Sequence, residues 1–433
     1  MSKRLLNKIN SKRAHIAVVG LGYIGLPLAV SFAKAGFRVR GIDTDEDRVE
    51  ALNRKKSYIL DVAPHTLAGV INNGKLSAHT DFSYIKECDA IIVCVPTPLK
   101  RKYTPDISFI LNAICRVRKF LPKGALIVLE STTYPGTTED INRKLLEKDG
   151  QRHGKDYYLA FSPERIDPGN KSYAVTDIPK LIGGLTPESG KLTEALYKKV
   201  INEVHLVSSA KAAEMAKLLE NTFRIINIGW INEMTMMCHK MGIDAWEVIE
   251  AAKTKPFGFM PFYPGLGVGG HCIPDDPLYL YWKARRHGYS SRFIKLSADI
   301  NHGMPAYALG CLKELLGKRG KTLAKAKVLI VGVTYKKDVR DLRKSPVLSF
   351  IELLQAAGCR PAYHDPYIPY LKFASIDLIS TALNAKNLAK YDCVVVAVDH
   401  AKVNFNLIRA HARLVYDIKN VYKNTTDKRI VRF

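Results

Sequence analysis

Short apolar runs of strand length recur through the first half of the chain. The run at 15–19 precedes a glycine-rich turn, a stretch of helical length at about 24–35 that ends at Gly36, and a second predicted strand at 38–42. Because a strand, a helix and a strand follow in this order, the pattern predicts a βαβ unit. Further apolar runs, separated by helical lengths, lie at 90–95, 125–129 and 157–161. This repetition predicts a parallel, doubly wound sheet.

The character of the chain changes between 208 and 240. This stretch has no proline, has Gly229 as its single glycine, and is rich in Ala, Leu, Met, Glu and Lys. It predicts one long helix or two joined helices. A second α/β pattern follows, with strand-like runs at 327–331, 391–398 and about 412–418. The fold class expected is therefore α/β, with two Rossmann-like, doubly wound parallel-sheet domains joined by a central helical segment.

Length and composition agree with this organisation. A chain of 433 residues exceeds what one hydrophobic core usually supports. No apolar run reaches the roughly 18 residues that cross a bilayer, and the first residues lack the apolar region of a secretory signal. We therefore expect a cytoplasmic protein without membrane partners. The eight cysteines include no Cys-x-x-Cys pair, which predicts free thiols and no metal.

The chain is strongly basic, and its charge admits two interpretations. A formal net charge of +25 suits either an anionic nucleotide substrate or nucleic acid. The basic residues are spread along the whole chain, and no zinc-finger, RRM or homeodomain signature accompanies them. This distribution favours a solvated basic surface, so nucleic acid is not the partner we expect.

A dinucleotide-binding fingerprint stands directly after the first predicted strand. Gly20 permits the tight turn, Gly22 lets the backbone approach a pyrophosphate, and Gly25 allows close packing of helix on strand. Asp43, at the end of the second strand, is placed to bind the adenosine ribose and to repel a 2'-phosphate. The pattern predicts NAD rather than NADP as cofactor, although the guanidinium of Arg48 could offset part of that repulsion.

A second glycine-rich segment carries a single cysteine. Four of the six positions 265–270 are glycine, and Cys272 follows beside Asp275 and Asp276. Glycine at this density lets a backbone approach a ligand closely, and it rules out the interior of a regular element. We therefore interpret Cys272 as a reactive thiol. The cysteines within apolar strands, Cys94 and Cys393, are interpreted as structural.

The segment Gly-Val-Gly-Gly-His-Cys-Ile-Pro-Asp-Asp-Pro at 267–277 resembles the signature of the UDP-sugar dehydrogenase family. It departs from the family pattern at Asp275, where lysine is common. Further matches follow in the family's order, over roughly residues 14 to 420, at Pro96-Thr97-Pro98, Glu130-Ser131-Thr132-Thr133-Tyr134-Pro135, Ser162-Pro163-Glu164-Arg165, Lys217 with Asn221, and Tyr335-Lys336-Lys337-Asp338. The segments 162–165 and 262–265 resemble the branch that acts on UDP-N-acetylhexosamines, especially UDP-N-acetylglucosamine.

The resemblance implies a four-electron oxidation of a sugar C6 hydroxymethyl to a carboxylate, as in the synthesis of surface-polysaccharide precursors. Two hydride transfers to NAD are needed, and the aldehyde between them must be retained. Cys272 would hold it as a thiohemiacetal and then as a thioester that water hydrolyses. Lys217 and Asn221, four apart on the predicted helix, share one face and would stabilise the oxyanion. Asp276 and Thr133 would handle water, and Glu164 would help to activate it.

By the same resemblance, the remaining site residues fall into two groups. Those expected to bind cofactor are Gly20, Gly22, Tyr23, Ile24, Gly25, Asp43, Arg48, Thr97 and Arg343. Those expected to bind the nucleotide sugar are Glu164, Arg165, Lys217, Asn221, Phe262, Tyr263, Gly265, Gly269, Tyr335 and Lys336. We expect an NAD-binding domain at 1–207, a segment for dimerisation and the catalytic cysteine at 208–315, and a UDP-sugar-binding domain at 316–433, with a homodimer formed through the 208–240 helix.

Three alternatives remain at this point. The substrate could be UDP-N-acetylmannosamine, UDP-N-acetylgalactosamine or UDP-glucose. A basic nucleic-acid-binding protein on a nucleotide-binding scaffold is the alternative from another class, and it rests on the charge alone. A sugar-nucleotide sensor without redox activity is disfavoured because Cys272, Lys217 and Asn221 are all present.

Overall fold

The computed structural model describes residues 1–59, 61–100, 103–166 and 175–433. The chain divides into two compact units. The amino-terminal unit consists of Met1–Glu220 and Trp282–His287, and the carboxy-terminal unit consists of Asn221–Tyr281 and Gly288–Phe433.

The α-helices of the described residues are numbered in chain order. They are α1 (Ser2–Asn10), α2 (Gly25–Lys34), α3 (Glu46–Asn53), α4 (Pro64–Asn72), α5 (Ser108–Phe120), α6 (Lys144–Leu146), α7 (Pro187–Tyr197), α8 (Ala210–Met241), α9 (Ala245–Lys253), α10 (Cys272–Arg286), α11 (Arg292–Gly317), α12 (Pro346–Ala356), α13 (Ala385–Leu388) and α14 (Phe405–His411).

The strands are numbered in the same way. They are β1 (His15–Val19), β2 (Arg38–Ile42), β3 (Leu76–His79), β4 (Ala90–Val93), β5 (Leu99–Lys100), β6 (Thr104–Pro105), β7 (Ala125–Leu129), β8 (Tyr157–Phe161), β9 (Lys180–Gly184), β10 (Val204–Val207), β11 (Val328–Val331), β12 (Ala362–His364), β13 (Tyr370–Phe373), β14 (Ile376–Ile379), β15 (Cys393–Val396), β16 (Val415–Asp417) and β17 (Ile430–Arg432).

The amino-terminal unit is built on an eight-stranded sheet of order β10-β9-β8-β7-β4-β1-β2-β3. Its neighbouring strands are parallel except for β8 and β9, which are antiparallel. The doubly wound sheet predicted from the sequence is confirmed, with that one antiparallel pair as a difference. The strand order reverses between β1 and β4, and ligands of such sheets bind at the carboxyl ends of the strands beside this point.

Both faces of this sheet are covered, as the alternate residues of β1 show. Ile16 and Val18 belong to one buried apolar cluster, which also includes residues of α2, and Ala17 and Val19 belong to another, which includes residues of α5. Side chains alternate between the two faces of a strand, so a strand that is apolar throughout must be covered on both sides. The continuous apolar runs in the sequence therefore mark central strands.

The carboxy-terminal unit contains a five-stranded parallel sheet of order β12-β11-β15-β16-β17. Alternate residues of β11 again enter two clusters: Val328 and Ile330 pack with α11 and α12, whereas Leu329 and Val331 pack with α14. The second Rossmann-like pattern is confirmed. The antiparallel pair β13 and β14 is an addition that the sequence pattern did not predict.

Helix α8 settles the choice left open for the central segment. It is one continuous helix, Ala210–Met241, and the boundary between the two units falls inside it, after Glu220. The absence of proline and the high content of helix-forming residues explain its length. Across the described ranges, no helix combines the length and the apolar character needed to cross a membrane.

Candidate active site

The turn between β1 and α2 has little room for side chains at two of its three glycines. Gly20 has a φ of +92°, and a Cβ there would lie 2.5 Å from the Cys94 carbonyl oxygen. A Cβ on Gly25 would lie 1.8 Å from the Gly20 carbonyl oxygen. A Cβ on Gly22 would meet no atom within 4 Å. Packing therefore requires the first and third glycines, and the space at Gly22 is open for a ligand.

This difference gives a matched pair of variants. Gly25→Ala should lower the melting temperature by roughly 5 °C or more, because its Cβ would overlap backbone atoms. Gly22→Ala should leave the melting temperature unchanged and weaken NAD binding by roughly tenfold or more, equivalent to ~1.4 kcal/mol. Differential scanning calorimetry measures the melting temperature of each variant, and titration with NAD measures its binding. Normal NAD binding by Gly22→Ala would contradict the placement of the pyrophosphate at this turn.

The carboxylate of Asp43 is held at the end of β2 by backbone donors. Its Oδ2 accepts a hydrogen bond from the Leu21 N–H at 2.7 Å, and its Oδ1 accepts one from the Asp45 N–H at 3.0 Å. The Arg48 guanidinium lies 3.5 Å from the same carboxylate and 3.1 Å from Asp45. The acid is thus fixed beside the glycine turn, with a cation already beside it. Tyr23 is exposed, and Thr97 is buried.

We expect NAD to exceed NADP by roughly 100-fold in kcat/KM, since a 2'-phosphate would meet the fixed negative charge of Asp43, at a cost of about 2.7 kcal/mol. Asp43→Asn should narrow this preference, because Arg48 remains to attract the phosphate. Initial rates with both cofactors check this. Equal efficiency of the two cofactors with the unmodified chain would contradict the assignment of Asp43.

The loop that carries Thr133 is tied to helix α8 by Glu214. The carboxylate of Glu214 accepts hydrogen bonds from the Gly136 N–H at 2.6 Å and the Thr138 N–H at 2.9 Å. Burial raises the pKa of Glu214 to about 7, although these donors act in the opposite direction. Thr133 is buried, with its hydroxyl 3.1 Å from that of Thr137. Sequence analysis missed Glu214, which lies one helical turn before Lys217.

Glu164 and Arg165 follow β8 and are held by different partners. One oxygen of Glu164 accepts from the N–H groups of Arg165 and Ile166, both at 2.7 Å. The Arg165 guanidinium donates to the Pro179 carbonyl at 2.7 Å and pairs with Glu220 at 2.7 Å. Arg165 therefore anchors the end of β8 to α8, a role that the sequence did not indicate.

Cys272 is the first residue of α10 and is exposed. Asp276 follows it by four residues, so the two side chains share a helix face. The Asp276 carboxylate is buried and accepts a hydrogen bond from the Asn221 side-chain amide at 2.5 Å. The oxygen of that amide accepts from Arg224. The cysteine, the carboxylate and the amide predicted for one site thus lie together in the carboxy-terminal unit.

Two buried asparagines hold the glycine loop that precedes Cys272. The Gly265 N–H donates to the Asn232 side-chain oxygen at 3.0 Å, and the Asn232 amide donates to the Asn301 side-chain oxygen at 2.9 Å. Gly267 has a φ of +114°, and a Cβ there would lie 2.4 Å from the Asn301 carbonyl oxygen. Sequence analysis missed both asparagines because they lie far from the loop in sequence.

The same loop packs against the segment after β11. A Cβ on Gly269 would lie 2.6 Å from the Cβ of Tyr335, and one on Gly270 would lie 2.9 Å from its ring. The structure therefore places Gly269 and Tyr335 in contact, and Lys336 follows at once. Asp275, the departure from the family pattern, is buried and paired with Lys344.

Three further predicted residues have their side chains engaged within the carboxy-terminal unit. The Phe262 ring lies 5.7 Å from that of Phe223, and the Tyr263 ring stacks on Trp246 at 5.8 Å. The Tyr263 hydroxyl donates to Glu250 at 2.9 Å. The Arg343 guanidinium pairs with Asp341 at 2.6 Å.

The predicted site residues are therefore divided between the two units. The amino-terminal unit holds Gly20, Gly22, Tyr23, Ile24, Gly25, Asp43, Arg48, Thr97, Thr133, Glu164, Arg165 and Lys217. The carboxy-terminal unit holds Asn221, Phe262, Tyr263, Gly265, Gly269, Cys272, Asp276, Tyr335, Lys336 and Arg343. Among the described residues, no group of three or more His, Cys, Asp or Glu side chains is placed to hold a metal.

The β1 strand, its glycine turn and the carboxylate at the end of β2 define a dinucleotide-binding oxidoreductase of the Rossmann class. Models of the UDP-glucose/GDP-mannose dehydrogenase family match the chain at 14–201 (NAD binding domain), 211–303 (central domain) and 329–424 (UDP binding domain). The chain therefore belongs to the UDP-glucose/GDP-mannose dehydrogenase family. It is an NAD-dependent dehydrogenase of UDP-sugars, as the sequence motifs predicted.

Individual relatives agree with this assignment. The chain is 37% identical over 416 residues to UDP-N-acetyl-D-glucosamine 6-dehydrogenase of Pseudomonas aeruginosa, covering 94% of this chain and 97% of the relative. It is 35% identical to UDP-N-acetyl-D-mannosamine dehydrogenase of Pyrococcus horikoshii, covering 94% and 96%. The solved structure of UDP-D-ManNAc dehydrogenase from Pyrococcus horikoshii superposes with a TM-score of 0.87 at 34% identity, covering 96% of this chain and 98% of that one.

Proposed function

We propose that this chain oxidises the C6 hydroxymethyl of a UDP-N-acetylhexosamine, with UDP-N-acetylglucosamine as first candidate, to the carboxylate through a thioester on Cys272. One observation carries the proposal: an exposed thiol begins α10, and the buried carboxylate one turn later is bonded to Asn221. The amino end of a helix favours a negative charge, which suits a thiolate nucleophile.

NAD, when bound, accepts the hydride in each of the two oxidations. In the first, the ammonium of Lys217 and the amide of Asn221 stabilise the alkoxide formed as the C6 hydroxyl loses its proton. The side chain of Lys217 is nearly fully buried, and a cation shielded from water stabilises a developing anion more strongly. The aldehyde that results is the electrophile for Cys272.

The second oxidation needs the sulfur. The Cys272 thiolate adds to the aldehyde carbon. The aldehyde oxygen then takes up a proton and becomes the hydroxyl of the thiohemiacetal. Loss of a second hydride and of that proton leaves the thioester. Water then adds to the acyl carbon and the C–S bond breaks, so that the carboxylate product leaves, one proton of the water returns to the Cys272 sulfur and the other passes to solvent. Asp276, Thr133 and Glu164 are the groups we assign to this water.

The choice among sugars rests on two segments. Residues 162–165 and 262–265 resemble the branch that acts on UDP-N-acetylglucosamine, while relatives named for UDP-N-acetylglucosamine and UDP-N-acetylmannosamine are similarly identical to this chain, at 37% and 35%. A panel of these two sugars with UDP-N-acetylgalactosamine, UDP-glucose and GDP-mannose, followed by NADH absorbance, tests the choice. The highest kcat/KM should belong to UDP-N-acetylglucosamine, and a higher value for another sugar would reassign the substrate.

We also propose that two copies pair through α8 and that the enzyme acts in the cytoplasm. Within the carboxy-terminal part of α8, the apolar side chains of Phe223, Trp230, Met237 and Met241 are each 45% to 67% exposed. Pairing would remove this apolar surface from water. Sedimentation at twice the 48.4 kDa chain mass would support a dimer, and a monomer at micromolar concentration would contradict it.

The proposal of a cytoplasmic enzyme is supported by the cysteines, because eight free cysteines suit a reducing compartment.

A further inference from the structure

A buried lysine joins two carboxylates at the carboxyl edge of the eight-stranded sheet. Lys180 begins β9, Glu130 follows β7, and Glu164 lies just beyond β8. The Lys180 ammonium lies 3.0 Å from a Glu130 oxygen and 2.9 Å from a Glu164 oxygen. The exposed fractions of the three side chains are 5%, 0% and 11%. Three charged groups are thus shielded from water and depend on one another for compensation.

The antiparallel pairing of β8 with β9 makes this contact possible. Phe161, the last residue of β8, pairs with Gly183 of β9, so the start of β9 passes the segment that follows β8. If β9 were parallel to β8, Lys180 would enter the sheet at the opposite edge. The one antiparallel pair in this sheet therefore brings a cation to the edge where ligands of such sheets bind.

Several groups among the described residues face Glu164. One of its oxygens accepts from the Arg165 and Ile166 N–H groups, and the other accepts from Lys180. The charge of Lys217 on α8 also acts on it. Behind Lys180, the second oxygen of Glu130 accepts from the Tyr197 hydroxyl of α7, and the ammonium lies 5.4 Å from the Tyr197 ring centre. The charges of Glu130, Lys180 and Glu164 also act on the buried thiol of Cys94.

The two carboxylates beside Lys180 differ in pKa. Burial by itself would raise the pKa of Glu164, but the charge and hydrogen bond of Lys180, the Ile166 N–H and the charge of Lys217 together hold it below its usual value. Burial raises the pKa of Glu130 to about 6, in spite of Lys180. Glu164 is therefore the more acidic of the two carboxylates, and it keeps its negative charge to lower pH than Glu130 does.

We propose that Lys180 is a positioning residue that keeps Glu164 ionised and fixes its orientation for binding the water that hydrolyses the thioester. This inference rests on the proposed function, in which Glu164 assists that hydrolysis. With three donors already bound to it, the carboxylate has few acceptor positions left, so it can hold water in only a narrow range of directions. Glu130 serves as the second counter-charge of the same lysine.

Removing the Lys180 cation should raise the pKa of Glu164. In Lys180→Met, two buried carboxylates would lie close together without compensation, so a proton would be taken up and the pKa of Glu164 would rise. Glu164 would then act as an acceptor only at higher pH. Hydrolysis of the thioester should slow about tenfold for each pH unit below the raised pKa. The acid limb of the rate profile should therefore begin at higher pH than in the unmodified enzyme.

The experiment measures hydrolysis directly. The unmodified enzyme, Lys180→Met, Lys180→Arg, Glu130→Gln and Glu164→Gln are incubated with NAD and UDP-N-acetylglucosamine from pH 6 to 9, and acyl-Cys272 is followed by intact-protein mass spectrometry. Lys180→Met should accumulate the acyl adduct at pH 6 to 7 and lose it at pH 9. Lys180→Arg should restore turnover at neutral pH, since it retains the charge. Glu130→Gln leaves the Lys180 cation paired with Glu164. The rate of this variant should begin to fall at a pH no higher than in the unmodified enzyme.

The outcomes separate the inference from the function on which it rests. If Glu164→Gln accumulates the adduct at every pH while the Lys180→Met profile matches the unmodified one, Lys180 has no positioning role and the function stands. If no variant ever shows an acyl adduct and Glu164→Gln is fully active, the proposed role of Glu164 itself fails. Should Lys180→Met not fold, the soluble pair Lys180→Arg and Glu130→Gln decides, because a raised acid limb in Glu130→Gln overturns the proposal.

Discussion

Replacing Cys272 with serine should abolish carboxylate formation without disturbing the fold. Cys272 is exposed at the start of α10, so exchange of sulfur for oxygen creates no cavity and no buried polar group. A serine hydroxyl is a much weaker nucleophile than a thiolate, and an ester once formed is hydrolysed less readily than a thioester. Turnover should fall by about 10³-fold or more, comparable to the loss of a catalytic nucleophile elsewhere.

The first oxidation depends on other residues, so Cys272→Ser should retain slow formation of aldehyde or collect a stable acyl-serine adduct. NADH counted per sugar, and the intact mass of the protein, distinguish these results. Cys115→Ser provides the matched control, because this partly exposed thiol lies on α5 and should be dispensable. A Cys272→Ser enzyme that releases carboxylate at a near-normal rate would contradict the thioester mechanism.

Lys217→Ala should lower kcat far more than it changes KM. The ammonium is assigned to negative charge that develops in the transition state, and loss of one such group typically costs about 10²- to 10³-fold in rate. Steady-state kinetics on UDP-N-acetylglucosamine separate the two constants. Because Lys217 is buried, the melting temperature is measured alongside, so that a loss of folded protein is not mistaken for a loss of catalysis.

The control for this variant lies on the same helix. Lys211 is largely exposed and pairs with Glu139 at 2.9 Å, and its replacement by alanine should change neither constant appreciably. A Lys217→Ala effect confined to KM would make the residue a binding group. Equal effects of the two substitutions would show that the helix as a whole, rather than this ammonium, supports turnover.

The sequence was sufficient for the elements that apolar periodicity controls. β1, β7 and β8 occupy the predicted positions because each is covered on both faces and therefore reads as a continuous apolar run. β2 also occupies its predicted position, although it carries Arg38 and Arg40. Helix α8 was predictable because no proline or glycine cluster interrupts it. The glycine turn at Gly20 was recognisable since its spacing follows from local backbone geometry.

The contacts that position the site were not predictable in the same way. Glu214 meets Gly136 across 78 residues, Asn232 meets Asn301 across 69, and Lys180 meets Glu130 across 50. Each pair joins residues whose types are common in unrelated roles, so only the fold reveals the partnership. The direction of β9 is a second example, because periodicity in a strand carries no information on whether its neighbour is parallel.

The sequence pattern also did not predict that helix α10 begins at Cys272. Pro274 and Pro277 argue against a helix, yet both lie within α10, near its amino end. Proline is tolerated in the first turn, where Pro274 lies, because the N–H groups there have no partner within the helix, whereas Pro277 lies beyond that turn, inside the helix. This placement makes Cys272 a helix-terminal residue, which the glycine-rich sequence before it did not indicate.

The central claim is that one active site performs both oxidations while the intermediate stays bound to Cys272. The stoichiometry of NADH to carboxylate tests it most directly, with UDP-N-acetylglucosamine limiting, NAD in excess and an aldehyde trap present. The account predicts two NADH for each carboxylate formed and no trapped aldehyde. One NADH per sugar consumed, with the aldehyde recovered in the trap, would contradict it.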